Sequence, residues 1–337
     1  MTLSSRSTRQ RNAWFFVIGS LLGCASAPEP APPPENLASL RLFATVVSPP
    51  QDPNRVALGR LLFHDPRLSK NREVSCATCH VLTKFGIDGK TVSTGVGGRK
   101  GRRNSPTVFN AATHIAQFWD GRAVDVEAQA VAPILNPLEM DMPNEQALID
   151  VLSVVPRYVA MFGAAFPLDE RPITLRNVGE AIGAFERGLV TTSRWDKFIA
   201  GDLSALNKNE QKGLRLFMQR GCVACHTGPQ LGGTTFQKVG VLYPWPNQGD
   251  QGRAEITHFP ADRMVFKVPS LKNIEKTAPY FHDGSTTSLE DAIQLMGHYE
   301  LGIELSREDI AAIAAWMRSM TGEPDPAYIA VPSLPPG

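Results

Sequence analysis

Two copies of one five-residue pattern constrain this chain more than anything else in it. Cys76-Ala77-Thr78-Cys79-His80 and Cys222-Val223-Ala224-Cys225-His226 both read C-x-x-C-H. This spacing sets two thiols on one turn, where they add to the two vinyl groups of a single porphyrin. The adjacent histidine then reaches the iron as proximal ligand. Of the 5 cysteines, four lie in these motifs and the fifth is Cys24, so none is spare for a disulfide. Zinc and a dithiol redox centre are the weaker readings. Structural zinc sites use closer cysteine pairs, and a redox C-x-x-C has no need of His80 and His226 in the same place twice. The motifs imply two haem c groups, attached through Cys76, Cys79, Cys222 and Cys225, with His80 and His226 on the irons.

The surroundings repeat as well. Gly59-Arg60-Leu61-Leu62-Phe63 precedes the first motif and Gly213-Leu214-Arg215-Leu216-Phe217 the second. Each reads as the end of a helix leading into a haem-binding turn. Helices are expected from Asp52-Pro53, across Leu175, Val178, Ile182, Phe185 and Leu189, and after the capping pair Asn207 and Glu210. Ser288 and Ser306 open two more, the latter expected to be the last, with Gly322 beyond its end. No alternating run supports a substantial sheet. The long Gly- and Pro-rich stretches 81–107 and 227–287 are aperiodic and read as haem-wrapping loops. The expected fold is mainly α: two cytochrome c-like haem domains related by a pseudo-repeat, with long loops and little sheet. Residues 37–190 would form the first and 191–337 the second.

Residues 1–23 read as a signal peptide, with Arg6, Arg9 and Arg11 ahead of a short apolar stretch. Leu21-Leu22-Gly23-Cys24 looks like a lipobox, which makes Cys24 a lipid anchor. Residues 24–36 then form a proline-rich spacer. Export to the periplasm is expected on this reading. Ala25 gives a mild preference for the outer membrane, and the membrane is touched through the anchor only. The formal charge of +1 shows no nucleic-acid footprint.

The stretches LGRLLFHDPRLS, VSCATCH, RRNSPTVFNAATHIAQFWDGRA, EAQA, PLEM, GCVACH, VFKVPSLKNIEKTAPYFHDGS and AIQLMG together resemble the bacterial di-haem cytochrome c peroxidases, a family that includes the MauG-type enzymes. The resemblance covers about residues 53 to 323. It implies a division of labour in which the C-terminal haem, ligated by His226 and Met296, takes electrons from a donor. Met264, His282 and His298 are the other candidate ligands. The N-terminal haem, held by His80, would bind hydrogen peroxide. Glu139 matches the family's distal carboxylate, Gln129 a polar neighbour, and Trp119 the tryptophan between the haems. Asn104, Thr277 and Pro279 match the ligands of one calcium ion, Asn104 through its side chain and the other two through main-chain carbonyls. Arg122 and Arg253 are candidates for pairing with haem propionates. The family also implies a homodimer, and a small cytochrome c or cupredoxin as electron donor.

One departure from the family pattern is informative. Many members carry a histidine in the loop before the RNxPT segment, where it closes the peroxidatic iron at rest. Here the loop reads STGVGGRKGRRNSP, with Val96 at that place. Valine cannot ligate iron, and His64 and His114 are the nearest substitutes. An iron open in the oxidised enzyme is expected, with no reductive activation. The leading expectation is reduction of hydrogen peroxide to water. The alternatives are a MauG-like oxidation of a protein substrate and a di-haem electron carrier without catalysis. The MauG branch uses a tyrosine where this chain has Met296, with Tyr299 close by.

Overall fold

The computed structural model describes Phe43 and residues 49–336. Cys24 and the segments 1–23 and 24–36 lie outside the described residues. Asp52 caps the first helix, α1 (Pro53–His64), by accepting from the Asn54 and Arg55 amides, and Pro53 presets its first φ. The first C-x-x-C turn is itself a short helix, α2 (Cys76–Cys79). It is followed by α3 (Val126–Leu135), α4 (Glu145–Ser153), α5 (Pro156–Ala165) and α6 (Leu175–Glu186). A two-residue strand β1 (Thr192–Ser193) and helix α7 (Arg194–Ile199) lead to α8 (Lys208–Gln219), which opens on the expected Asn207–Glu210 capping box. β2 (Phe236–Lys238), α9 (Ala254–Thr257) and β3 (Val265–Lys267) lie in the long loop. Ser288 and Ser306 cap α10 (Leu289–Leu301) and α11 (Arg307–Arg318). α11 is not the last helix: β4 (Gly322–Glu323) and α12 (Pro326–Ile329) follow. A four-residue helix with a proline at its start is too short to show a 3.6-residue period in sequence. The strands make two two-stranded antiparallel ladders, β1–β4 and β2–β3, so sheet is as scarce as expected.

Two cores carry the fold. One gathers Leu58, Leu62, Phe63, Tyr158, Phe162, Ile182 and Phe185. The other gathers Trp195, Phe198, Phe217, Ile313, Trp316 and Met320. Each is built on one close helix pair, α1 on α6 and α8 on α11. The glycine of the GRLLF pattern is the contact point in the first. A Cβ on Gly59 would stand 1.8 Å from the Ala181 carbonyl oxygen. Gly213 repeats this in the second, where a Cβ would meet the Ala312 carbonyl oxygen at 2.0 Å. The chain ends cross over. Phe43 packs edge-on against Trp195 in the second core, while Tyr328 stacks on Phe185 in the first and donates to its carbonyl. One expected feature differs: α8 runs almost directly into Cys222, but α1 stops at His64 and a capped turn at Pro66–Leu68 intervenes before Cys76.

A second internal repeat, less visible in sequence, joins the two halves. Residues 103–121 and 266–284 trace the same path at a constant offset. Asn110 and Asn273 both adopt left-handed φ (60° and 58°), as do Phe118 and Phe281 (65° and 70°). The side-chain amides of Asn110 and Asn273 converge on one hydroxyl, Thr191 Oγ1, at 3.1 and 3.0 Å. The halves exchange reciprocal main-chain bonds, Asn104 N–H to the His282 carbonyl (2.8 Å) and Lys267 N–H to the Trp119 carbonyl (2.7 Å). These positions are each other's equivalents in the repeat.

Gly59→Ala and Gly213→Ala are each expected to destabilise the protein by about 1–3 kcal/mol, because a buried backbone contact cannot open without moving a helix. Gly163 in α5 has nothing within 4 Å of its Cβ position. Gly163→Ala is expected to stabilise by up to about 1 kcal/mol. Denaturant midpoints of the three variants check the contrast, and equal effects would reject it.

Candidate functional site

The two C-x-x-C-H turns are built alike. Ser75 and Thr78 form a capping box over α2, and the His80 amide returns to the Cys76 carbonyl at 2.9 Å. The His226 amide returns to the Cys222 carbonyl at 3.1 Å. Each imidazole is then fixed from behind. His80 Nδ1 lies 3.1 Å from the Gly86 carbonyl oxygen, and His226 Nδ1 lies 3.1 Å from that of Leu231. A carbonyl only accepts, so Nδ1 carries the proton and Nε2 keeps its lone pair for a metal. Burial lowers both imidazole pKa values, which keeps the rings neutral and ligand-competent. Burial also raises the Cys76 thiol and pushes Cys222 up to about 11, unlike the depressed thiol of a redox C-x-x-C. Among the described residues no three His, Cys, Asp or Glu side chains come together as a metal site.

All four cysteines and both histidines line one continuous cavity of ≈ 730 Å³. Glu139, Gln129, Trp119, Asn104, Thr277, Pro279 and Met296 line it too. Residues of the two aperiodic stretches supply much of its wall. Glu139 sits on the turn after α3, half-buried. Its Oε1 accepts from Asn136 Nδ2 at 2.7 Å, and its main-chain carbonyl accepts from the Val96 N–H at 2.8 Å. Burial raises the Glu139 pKa, partly offset by Arg122 and the Asn136 amide. Val96 is buried in a turn closed by Gly95 N–H to the Arg99 carbonyl at 2.8 Å. Gln129 lies on α3. Trp119 donates through Nε1 to the Asn104 carbonyl at 2.9 Å and stands edge-on to His282 at 6.5 Å. The Asn104 side chain donates to the Lys90 carbonyl at 3.0 Å, which leaves Oδ1 as its acceptor.

The other ligand candidates separate by position. Met264 is buried among Trp245 and Phe266 and does not line the cavity. His298 pairs with Glu304 at 2.8 Å and stacks on Tyr243, also outside the lining. His282 lines the cavity, stacked on Phe266 at 4.2 Å. Tyr299 packs edge-on to Trp245, away from the lining. His64 is likewise outside it, whereas His114 lines it. Of the two candidate propionate partners, Arg122 lines the cavity and Arg253 does not. Arg122 pairs with Asp120 at 3.0 Å and covers the Phe118 ring, and Arg253 donates to the Asp120 carbonyl and covers Phe236, outside the lining.

Sequence reasoning missed three cavity residues. Arg103 has a side chain 14% exposed and pairs with Asp120 in its own repeat and with Asp250 (2.6 Å) in the long loop of the second half. Glu186 is buried at the end of α6, and burial, with Glu127 nearby, pushes its carboxyl up to about 8. Lys267 is buried at the end of β3. A local signal existed only for Lys267, an isolated lysine inside the apolar run VFKVPSL.

Fold and cavity together define a double c-type cytochrome with two haem-binding turns facing one interior space. Residues 53–204 match the family Di-haem cytochrome c peroxidase, and residues 210–321 match Cytochrome c. The chain is 43% identical over 290 residues to cytochrome c551 peroxidase of Nitrosomonas europaea, covering 85% of each. It is 41% identical to the cytochrome c551 peroxidase of Pseudomonas aeruginosa, over 87% of this chain and 84% of that one. It is 36% identical to the methylamine utilization protein MauG of Methylorubrum extorquens, over 85% and 83%. A solved MauG-like protein associated with microbial copper homeostasis superposes with TM-score 0.73 at 30% identity, covering 86% of this chain and 97% of that one. The chain belongs to the di-haem cytochrome c peroxidase family and carries two haem c groups, as its motifs implied.

Proposed function

We propose that this chain reduces hydrogen peroxide to two waters, taking up two electrons and two protons, at the haem site held by Cys76, Cys79 and His80. The observation that carries this reading is Glu139, a carboxyl with a raised pKa lining the cavity, oriented by Asn136. The bound haems supply the redox equivalents. Glu139 accepts the proton that peroxide loses on binding and returns one to the oxygen that leaves as water. A carboxyl held above its ordinary range can do both near neutral pH. Asn136 fixes Oε1, and Gln129 on the neighbouring helix supports the polar side of the pocket. Electrons from a small cytochrome c or cupredoxin enter at the site of Cys222, Cys225 and His226, where Met296 completes the ligation and a thioether raises the potential. Trp119 carries the electron route between the sites. The peroxidase relatives at 41–43% identity support peroxide over a protein substrate. Tyr299, outside the cavity, supports Met296 over a MauG-type tyrosine.

Val96 makes the resting state distinctive. Its turn is bonded to the Glu139 carbonyl, and the aliphatic side chain packs in the first core rather than lining the cavity, so this turn offers no iron ligand. The fully oxidised protein is expected to show a high-spin ferric signal that peroxide abolishes. Only low-spin signals would sink this part. Glu139→Gln is expected to lower turnover by about 10²–10⁴-fold with both haems retained. The base form of Glu139 is the active one, so activity falls as pH drops through its pKa. Asn136→Ala removes a bond to the charged form, raising that pKa, so the acid limb of the kcat/KM profile is expected to move to higher pH. A limb that stays in place would reject Glu139 as the base.

Asn104 Oδ1 with the Thr277 and Pro279 carbonyls is proposed to hold one calcium ion, whose preference for oxygen donors these groups meet. Metal analysis is expected to find one calcium per chain, and its absence from active enzyme would remove the proposal. The lipobox pattern supports export to the periplasm and anchoring at Cys24, with the outer membrane preferred. Cys24→Ala is expected to move the protein from the membrane to the soluble fraction. A homodimer is proposed on the family resemblance alone, and a monomeric mass in solution would overturn it.

A further inference from the structure

Lys267 is 7% exposed. Its ammonium lies 3.1 Å from His114 Nδ1, and no described carboxylate forms an ion pair with it. An ammonium has no lone pair, so it donates and Nδ1 accepts. The His114 proton is therefore on Nε2, and that atom is buried without a partner. Both side chains line the haem cavity. The wall thus presents a buried cation with no carboxylate partner and an adjacent N–H donor with no acceptor among the described residues. Buried charges are ordinarily paired, and the described residues supply no anion for this pair, which points to one brought in with a bound group.

The internal repeat strengthens this. Lys267 is the equivalent of Asn104, and His114 is the equivalent of Thr277. Lys267 with His114 is a contact between the repeats, and Asn104 and Thr277 line the same cavity. On one side of the pseudo-dyad the pair offers oxygens suited to a metal cation; on the other, an amino acid supplies the positive charge. Burial pushes Lys267 down to about 8 and His114 to about 3. The imidazole therefore stays neutral and seats the lysine, and an anion would restore the lysine's charge.

We propose that Lys267, seated by His114, is a built-in cation that binds a propionate carboxylate of one of the two haems. This rests on the di-haem reading, which a count of two haems per chain by pyridine haemochrome tests separately.

The experiment is a redox titration of Lys267→Met as the holoenzyme, followed optically at both haems. Removing the ammonium leaves an unpaired negative charge that favours ferric iron. The midpoint potential of one haem is expected to fall while the other stays. Lys267→Gln keeps a donor of similar reach without the charge and is expected to give a smaller fall. Lys267→Arg is expected to restore the potential. Two unchanged potentials in a neutral variant with both haems attached would overturn the proposal, and so would a fall that arginine does not reverse. Haem loss in both neutral variants but not in Lys267→Arg would support it. Haem loss in all three would show that shape, not charge, is what the site requires.

Discussion

The two main-chain bonds across the pseudo-dyad, Asn104 N–H to the His282 carbonyl and Lys267 N–H to the Trp119 carbonyl, fix how the haem sites face each other. Each bond ties a residue of one repeat to the opposite repeat at equivalent positions. The aromatic residues that supply the carbonyls, Trp119 and His282, stand edge to face at 6.5 Å. Thr191, in the connection between the cores, takes an amide from each side. Sliding one half against the other would break both carbonyl bonds and leave buried backbone groups unpaired, at about 1–3 kcal/mol each. The single cavity shared by both C-x-x-C-H turns depends on this register.

Behind that junction each half repeats one device. A glycine lets two helices meet backbone to backbone, and the C-x-x-C-H turn hangs nearby. A carbonyl behind the histidine ring then chooses its tautomer. These features are symmetric because they do the same job twice. The chemistry lies where the symmetry fails. Glu139 and the Val96 turn belong to the first half alone, and Met296 to the second. Trp119 faces His282, and Asn104 faces Lys267. An ancestral pair of like sites would have two like environments. The two halves differ at these few positions, and the division of labour proposed for the haems rests on them.

Legibility in the sequence followed the locality of each signal. The C-x-x-C-H turns, the Asn207–Glu210 box and the caps at Asp52, Ser288 and Ser306 are short-range patterns, and each stood where it was read. The second repeat was overlooked because RNSPTVFN and FKVPSLKN share little beyond Pro106 with Pro269 and Asn110 with Asn273. What they share is backbone shape, including left-handed phenylalanines at 118 and 281 that no propensity anticipates. The crossover of chain ends was also illegible, since nothing local to Phe43 or Tyr328 says which core it joins. The candidate ligands show the same limit. Met296 stood out only through the AIQLMG resemblance, and the cavity lining then sets it apart from Met264 and His298.

Arg103 and Lys267 mark a further limit of sequence reading. A basic residue in a loop is ordinarily solvated, so neither drew notice by type. Arg103 is understood once its partners are seen, because Asp120 lies in its own repeat and Asp250 in the long loop of the second half, and a guanidinium bridges both. Lys267 lacks any such partner among the described residues, although it is the more deeply buried of the two. A fold that places carboxylates against one buried cation and leaves the adjacent one bare is distinguishing two jobs. The first cation joins the protein to itself. The second is the cation proposed above to meet a haem propionate, so the two buried basic groups differ in what they are paired with.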